Sequence, residues 1–267
     1  MSVSIKSQRE IELMKEAGLI LATVLDELEK IIEPGITTKH IDQIGEEIIR
    51  SYDCIPSFLN YNGFPASICI SVNDEVVHGI PTRKRVLHEG DIVSLDAGVI
   101  HKSYHSDAAR TFGVGNICKE AQQLIDVTKQ SFFEGIKFAK EGCHLYEISN
   151  AIATYVESFG YGVVRDLVGH GIGTDLHEDP QIPNFTQNRR GIKLLAGMTF
   201  AIEPMINAGH FSVKWLDDDW TVVTTDGSLS AHYENTVLIT KDGPKILSLR
   251  WLWMILSFTS VDKMLID

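Results

Sequence analysis

The chain has 267 residues and a hydrophobic content of 44%, values typical of one large globular domain or two modest ones. Its 24 lysines and arginines face 36 aspartates and glutamates, a formal charge of -12, which argues against nucleic acid as a partner because nucleic-acid binding requires basic patches. The 4 cysteines are far apart without a C-x-x-C pair, which excludes zinc-finger spacing and a disulfide framework and favours a cytoplasmic location.

Four helices are predicted in two pairs. Apolar residues at helical spacing predict a first helix over residues 7–32, which the Glu-Pro-Gly run at 33–35 ends. The threonines that follow can cap a second helix with apolar residues on one face, Ile41, Ile44, Ile48 and Ile49. Residues 118–140 and 144–159 predict the second pair.

Short strand-like runs lie between and after the helix pairs: SICISV, DIVSLDAGV, HSDAARTFGV, MTFAIEPMI and HYENTVLIT. Gly35 and Gly142 precede the second helix of each pair and are 107 residues apart. GDIVSLD ends at Asp96 and GMTFAIE ends at Glu203, which are also 107 residues apart. The shared offset predicts an α+β domain of two pseudo-twofold-related halves, with helices on one face of an antiparallel sheet and a cleft on the other.

Two aspartates are predicted to share one face of a β-hairpin. Alternation places Asp96 on the face of IVSLDAGV that carries small residues, and Asp107 on one face of HSDAARTF. A hairpin centred on His101-Lys102 places Asp96 directly opposite Asp107, with Cβ atoms roughly 5 Å apart. Two ionised carboxylates at that separation repel each other, so one takes up a proton or a cation lies between them.

Further acidic residues in the sequence favour a bound cation over protonation of one aspartate. Glu203 in FAIEPMI and Glu234 in HYENTVLIT each lie within an apolar strand-like run, where a lone carboxylate is costly to bury. His170 in VGHGIG supplies an imidazole, and its flanking glycines allow a close approach of backbone and ligand. Each residue alone has an ordinary structural explanation, as a turn residue or a hydrogen-bonded histidine. Together they predict one shared metal site.

The segments VVHGIP, SLDAG, HSDAARTF, GHGIG, LHEDP, FAIEPM and HYENT resemble the type I methionine aminopeptidases. The interval from His170 to Glu203 has no room for the helical insertion of the type II enzymes. The resemblance implies the pita-bread fold of the M24 metallopeptidases for residues 1–248, as a single catalytic domain. Residues 249–267 depart from the family pattern and form an atypical apolar C-terminal tail.

By this resemblance, Asp96, Asp107, His170, Glu203 and Glu234 bind two divalent metal ions. Asp107 and Glu234 would bridge the ions, Asp96 would complete the shell of one, and His170 with Glu203 that of the other. Carboxylate-rich ligation with a single histidine suits Mn²⁺, Fe²⁺ or Co²⁺, with Zn²⁺ as a further option. The implied chemistry is metal-assisted hydrolysis, in which Glu203 also accepts and passes on the proton of the attacking water.

The resemblance also implies two catalytic histidines and a methionine pocket. His177 in LHEDP would hydrogen-bond the scissile carbonyl and its oxyanion. His78 in VHGIP would donate to the substrate backbone nitrogen or the departing amine. The pocket would be formed by Phe58, Tyr61, Phe64, Cys69, Leu176 and Trp220. Phe58 would narrow this pocket, and Leu176 replaces an aromatic residue of some family members.

The expected function is removal of the N-terminal methionine from peptides and nascent chains with a small second residue, by a monomer, with the ribosome as one place of encounter. Two alternatives stay open: X-Pro-type cleavage on the same scaffold, and a peptide-binding module that has lost catalysis. The run WLWMILSF at 251–258 is too short to span a bilayer, so no membrane partner is expected.

Overall fold

The computed structural model describes residues 3–250, so residues 251–267 of the predicted apolar tail at 249–267 lie outside the described residues. The helices are α1 Gln8–Glu29, α2 Thr38–Ser51, α3 Lys119–Ile136 and α4 Leu145–Glu157. The strands are β1 Ile55–Pro56, β2 Ile68–Val72, β3 Glu75–Val77, β4 Ile92–His101, β5 Tyr104–Gly113, β6 Gly162–Val163, β7 Gly169–Gly171, β8 Glu178–Ile182, β9 Thr199–Ile202, β10 Met205–Asn207, β11 Val213–Trp215, β12 Val222–Thr224, β13 Ser230–His232, β14 Asn235–Ile239 and β15 Pro244–Ile246. Between residues 3 and 250, no helix has the length and apolar composition that crossing a membrane requires.

The predicted helices are confirmed, and polar caps set their first residues. The Ser7 hydroxyl accepts a hydrogen bond from the Glu10 N–H, and the Glu10 side chain accepts one from the Ser7 N–H, which forms a capping box. The Thr37 hydroxyl caps α2 by accepting a hydrogen bond from the His40 N–H. The helix predicted over 7–32 ends at Glu29, because the N–H groups of Ile31 and Ile32 bond to carbonyls three residues back rather than four.

The two halves repeat the same backbone bonds at the predicted offset. The Gly35 N–H donates to the Leu87 carbonyl, and the Gly142 N–H donates to the Leu194 carbonyl, with both partners displaced by 107 residues. The isolated β-bridges keep this spacing, since they join Thr37 to Val86 and His144 to Lys193. Both glycines have a left-handed backbone, with φ of 99° and 94°, which other residues adopt at a cost. The repeat therefore extends to the hydrogen bonds that lead into α2 and α4.

The strands form four antiparallel sheets. One contains β1, β4, β2 and β5, and another has five strands in the order β15-β14-β9-β7-β8. Two three-stranded sheets have the orders β13-β10-β6 and β11-β12-β3. Helix α1 packs against β4 and β5, while α3 packs against β10 and β13. The predicted α+β architecture, with helices packed on antiparallel sheets in each half, is confirmed.

The β4–β5 hairpin has a different register from the predicted one. Its turn uses Lys102 and Ser103, whose φ values of 47° and 72° are both left-handed, as a type I′ turn requires. Asp107 therefore lies opposite Gly98 rather than opposite Asp96. The predicted direct pairing is wrong because the turn, which begins one residue later, fixes the register. The observed partner of Asp107, Gly98, is two residues from the predicted partner, so Asp96 and Asp107 still share a face as diagonal neighbours.

Two predicted strands are each split by a glutamate. MTFAIEPMI forms β9 and β10 on either side of Glu203-Pro204, and HYENTVLIT forms β13 and β14 on either side of Tyr233-Glu234. Strand β9 pairs with β14 in one sheet, and β10 pairs with β13 in another. Both glutamates thus lie where the chain crosses between the same two sheets, not within a strand as predicted. Pro204 contributes to the break because it has no N–H for the ladder.

Candidate metal centre

The five predicted ligands converge from both halves of the chain. Asp96 and Asp107 come from the β4–β5 hairpin, His170 from β7, and Glu203 and Glu234 from the two sheet crossings. One ligand atom each from Asp107, His170 and Glu234 lies within 4.8 Å of the others. The His170 Nε2 atom is 3.6 Å from Glu203 Oε1 and 3.9 Å from Asp107 Oδ2. The Asp96 and Asp107 carboxyl groups are close enough to hydrogen-bond each other when one is protonated.

Three carboxylate oxygens at this centre lack donors among residues 3–250. Asp96 Oδ1, Asp107 Oδ1 and Glu234 Oε1 are buried without a hydrogen-bond partner. A buried acceptor without a donor destabilises the fold by about 1–3 kcal/mol or more. Divalent cations satisfy such oxygens, and an oxygen-rich ligand set with one imidazole suits Mn²⁺, Fe²⁺ or Co²⁺. The residues present therefore fit a metal centre.

Burial dominates the electrostatics of the centre. It raises the pKa of Asp96 to about 7, against the opposing effect of His232, and the pKa of Glu203 to about 8. Burial, and then repulsion from the neighbouring carboxylates, raises the pKa of Asp107 and that of Glu234 well above the usual range. Bound cations counter these effects because they favour the ionised carboxylates.

His170 is oriented by its own strand. Its Nδ1 atom lies 2.9 Å from the Gly171 carbonyl, which accepts the Nδ1 proton and leaves the Nε2 lone pair toward the carboxylates. Burial lowers the pKa of His170 to about 3, so the imidazole is in the neutral form that binds metals. A Cβ atom on Gly171 would meet the Asp179 carbonyl oxygen at 2.2 Å. The glycine predicted to allow a close approach thus allows β7 to pack against β8.

His177 lies beside His170 and is held by Tyr61. The two imidazole centroids are 4.2 Å apart. The Tyr61 hydroxyl is 2.8 Å from His177 Nδ1, and the two rings are stacked with centroids 5.3 Å apart. Burial lowers the pKa of His177. The structure therefore places a neutral, doubly restrained imidazole at the edge of the centre.

His78 has an uncommon backbone conformation. Its φ of 59° is left-handed, and such residues cluster at functional sites. The next residue, Gly79, is tied to β2 by a hydrogen bond from its N–H to the Ser71 hydroxyl, 3.1 Å long. Burial, followed by the proximity of two other histidines, lowers the pKa of His78 to about 4. Its ring centroid lies 6.3 Å from that of Trp220.

The six predicted pocket residues belong to one apolar cluster. Phe58, Phe64, Cys69 and Leu176 are buried in it, and Tyr61 and Trp220 pack against it. The Phe64 and Trp220 rings meet edge to face with centroids 5.1 Å apart. Cys69 on β2 pairs with Asp96 on β4, so the cluster adjoins the carboxylates.

Sequence reasoning missed His232. This residue ends β13, has 1% of its surface exposed, and places its Nε2 atom 3.6 Å from Glu203 Oε2. Its spacing could have revealed it, because it lies two residues before Glu234 in the strand-like HYENT segment and alternation predicts a shared face.

The metallopeptidase family M24 model matches residues 12–241. The chain belongs to metallopeptidase family M24. Among M24 relatives, it is 57% identical to a methionine aminopeptidase of Clostridium acetobutylicum, over 92% of this chain and 99% of that one. It is 52% identical to methionine aminopeptidase 1 of Bacillus subtilis, over 91% of this chain and 98% of that one. The crystal structure of methionine aminopeptidase from Thermotoga maritima superposes with a TM-score of 0.91 at 44% identity, covering 93% of this chain and 100% of that one.

These M24 relatives confirm the predicted resemblance and the pita-bread fold. A Xaa-Pro dipeptidase from Bacillus anthracis also superposes, with a TM-score of 0.75 at 23% identity over 61% of its length, and that likeness shows the fold alone. The interval from His170 to Glu203 contains strand β8 and no helix, in agreement with the spacing that distinguishes type I from type II enzymes.

Proposed function

We propose that this M24 chain removes the N-terminal methionine from peptides and nascent chains whose second residue is small. The observation that carries the proposal is the clustering of Asp107, His170 and Glu234, with Glu203 and Asp96 adjoining them, beside an apolar aromatic cluster. The identity to methionine aminopeptidases of 57% and 52% supports this substrate over X-Pro peptides.

Asp96, Asp107, His170, Glu203 and Glu234 would hold two divalent ions, with Mn²⁺, Fe²⁺ or Co²⁺ favoured over Zn²⁺. Bound at this position, such ions supply Lewis-acid activation of water and of the scissile carbonyl. The burial of Asp107 and Glu234, and the ligand atoms that they place within 4.8 Å of each other, support their bridging roles.

His177 is proposed as the donor to the scissile carbonyl and its oxyanion. When the Tyr61 hydroxyl donates to Nδ1, the neutral imidazole carries its proton on Nε2. An Nε2–H that is already oriented stabilises negative charge as it develops on the carbonyl oxygen. Tyr61 would therefore set the tautomer that this role needs, in addition to lining the pocket.

Glu203 and His78 complete the proton and substrate contacts. Glu203 would accept the proton of the attacking water and pass it to the leaving amine. His78 would donate to the substrate backbone nitrogen or the departing amine. Its left-handed backbone and the hydrogen bond of Gly79 to Ser71 support a fixed position for the imidazole.

The cluster of Phe58, Tyr61, Phe64, Cys69, Leu176 and Trp220 is proposed to bind the methionine side chain. A thioether is flexible and polarizable and packs well against aromatic edges and sulfur. Phe58 would give this pocket less depth than a small residue at the same position. The protein is further proposed to act as a monomer in the cytoplasm and to meet nascent chains at the ribosome.

The first test is a peptide panel. Purified protein loaded with each of the four ions is incubated with Met-Ala-Ser, Met-Lys-Ser and Ala-Pro-Ala, and free amino acids are quantified. We expect methionine only from Met-Ala-Ser, because its second residue is small. Preferred cleavage of Ala-Pro-Ala would instead support X-Pro specificity. No turnover with any ion would support a peptide-binding module without catalysis.

A further inference from the structure

His232 is a buried imidazole that the proposed mechanism does not use. Its backbone is fixed, because its N–H donates to the Thr111 hydroxyl at 2.9 Å and its carbonyl accepts from the same hydroxyl at 2.9 Å. That hydroxyl lies 2.8 Å from the one on Ser94, which shares the β4 face with Asp96. The ring is therefore presented to the centre from a rigid backbone on β13.

Both ring nitrogens of His232 are buried, and no residue in the described range 3–250 forms a hydrogen bond with either of them. The two oxygens of Glu203 each face an imidazole: Oε1 faces His170 Nε2 and Oε2 faces His232 Nε2, both at 3.6 Å. His170 is one of the proposed ligands, and it also lies beside Asp107. His232 lies at the other oxygen of the Glu203 carboxylate.

We infer that His232 is a positioning residue whose Nε2–H donates to Glu203 Oε2 and directs Oε1 toward His170 and the metal. A neutral imidazole gains by presenting N–H rather than a lone pair to a carboxylate. The present separation exceeds a typical N–H···O distance by about half an ångström, within reach of a small side-chain rotation. The inference rests on the proposed role of Glu203 as a metal ligand.

The test compares two substitutions of similar volume. His232→Gln keeps an N–H donor, whereas His232→Leu removes it. Metal-stripped wild-type and variant proteins are titrated with Mn²⁺ by calorimetry, after circular dichroism has verified folding. Because hydrogen bonds to metal ligands typically contribute 10–100-fold in affinity, we expect Leu to weaken Mn²⁺ binding by about 10-fold or more and Gln by about threefold or less. On a Met-Ala-Ser substrate, Leu should lower kcat more than it raises KM.

His101→Gln is the matched control. His101 also pairs with a glutamate, Glu16, at 2.8 Å, but this pair lies at the hairpin turn outside the centre. The Mn²⁺ affinity of His101→Gln should therefore equal that of the wild type. Equal affinities for His232→Gln and His232→Leu would overturn the inference, whether both are weak or both are strong.

A spectroscopic measurement separates positioning from direct ligation. In the Co²⁺-loaded protein, an imidazole bound to the metal gives a hyperfine-shifted N–H proton resonance. We expect His232→Gln to show the same number of these shifted resonances as the wild type. Loss of one would make His232 a ligand and end the inference. Failure of the proposed function is distinguishable, because a wild type that binds Mn²⁺ without releasing methionine still gives the affinity ratios.

Discussion

Asp107 combines burial, a neighbouring carboxylate and an oxygen without a partner. We expect Asp107→Asn to abolish most activity and to lower metal content, because an amide brings no charge to two cations. Metal analysis of the purified variant beside its kcat checks this. Asp126→Asn makes the same change on the exposed face of α3 and should leave both unaltered. Unchanged metal content and rate in Asp107→Asn would contradict a bridging role.

His177 and Tyr61 give a second prediction at the residue scale. His177→Ala should lower kcat by roughly 10²-fold or more, with metal still bound, because it removes the proposed oxyanion donor. Tyr61→Phe keeps the stacked ring and removes only the hydroxyl, so we expect a loss of about 1 kcal/mol in transition-state stabilisation, roughly fivefold in kcat. Steady-state kinetics with metal analysis measure both. A fully active Tyr61→Phe would show that the 2.8 Å contact does not set the tautomer.

Gly98 shows how the hairpin couples the metal centre to the pocket. It lies opposite Asp107, and a Cβ atom there would meet Ser57 Cβ at 2.6 Å and Phe58 Cε1 at 2.9 Å. Gly98→Ala should therefore displace the 57–58 segment, destabilise the fold by about 1–3 kcal/mol and raise KM for Met-Ala-Ser. Urea unfolding and steady-state kinetics test this.

The control for this element is Gly142→Ala. A Cβ atom at Gly142 meets no atom within 4 Å, but its φ of 94° strains a side chain. This variant should lose stability without a change in KM. Equal KM effects in the two variants would show that loss of stability, rather than displacement of Phe58, raises KM.

The sheet crossings were only partly predictable. Each glutamate is recognisable within an apolar run, but the pattern of that run predicts one strand rather than two. Local composition does not distinguish a continuous strand from one that changes sheets, because both are buried and apolar. The break depends on which strands pair on either side, and this involves residues about 30 positions away.

The whole molecule should respond to pH through its buried carboxyls. After treatment with EDTA, an acid whose folded pKa is raised binds more protons folded than unfolded, so stability falls as pH rises toward that pKa. The relevant values are about 7 for Asp96 and about 8 for Glu203. The buried histidines have lowered pKa values, about 3 for His170 and about 4 for His232, so they make stability rise with pH. This opposing effect ends near the unfolded histidine pKa of about 6.5.

We therefore expect the free energy of unfolding of EDTA-treated protein, measured in urea, to decrease between about pH 6.5 and pH 8. Glu203→Gln removes one of the raised carboxyls and should flatten the slope. With excess Mn²⁺ the trend should reverse, because the cations bind the ionised carboxylates and release protons. If the stability of the EDTA-treated protein rises across this pH interval, the pKa values of Asp96 and Glu203 are not raised by burial.

The sequence alone determined the four helices, the threonine cap of α2, the 107-residue repeat and the identities of the five converging side chains. These follow from short-range patterns, since helical spacing, capping residues and glycines at left-handed positions act within a few residues. The face shared by Asp96 and Asp107 was also predictable, because alternation depends only on parity.

Only the tertiary structure decided the hairpin register, the positions of Glu203 and Glu234 at sheet crossings, the contact of Tyr61 with His177, and the burial of His232 against Glu203. Each of these joins segments that are distant in sequence or depends on one residue in a turn. Pairing over such distances is set by the packing of the whole chain, to which no local pattern gives access.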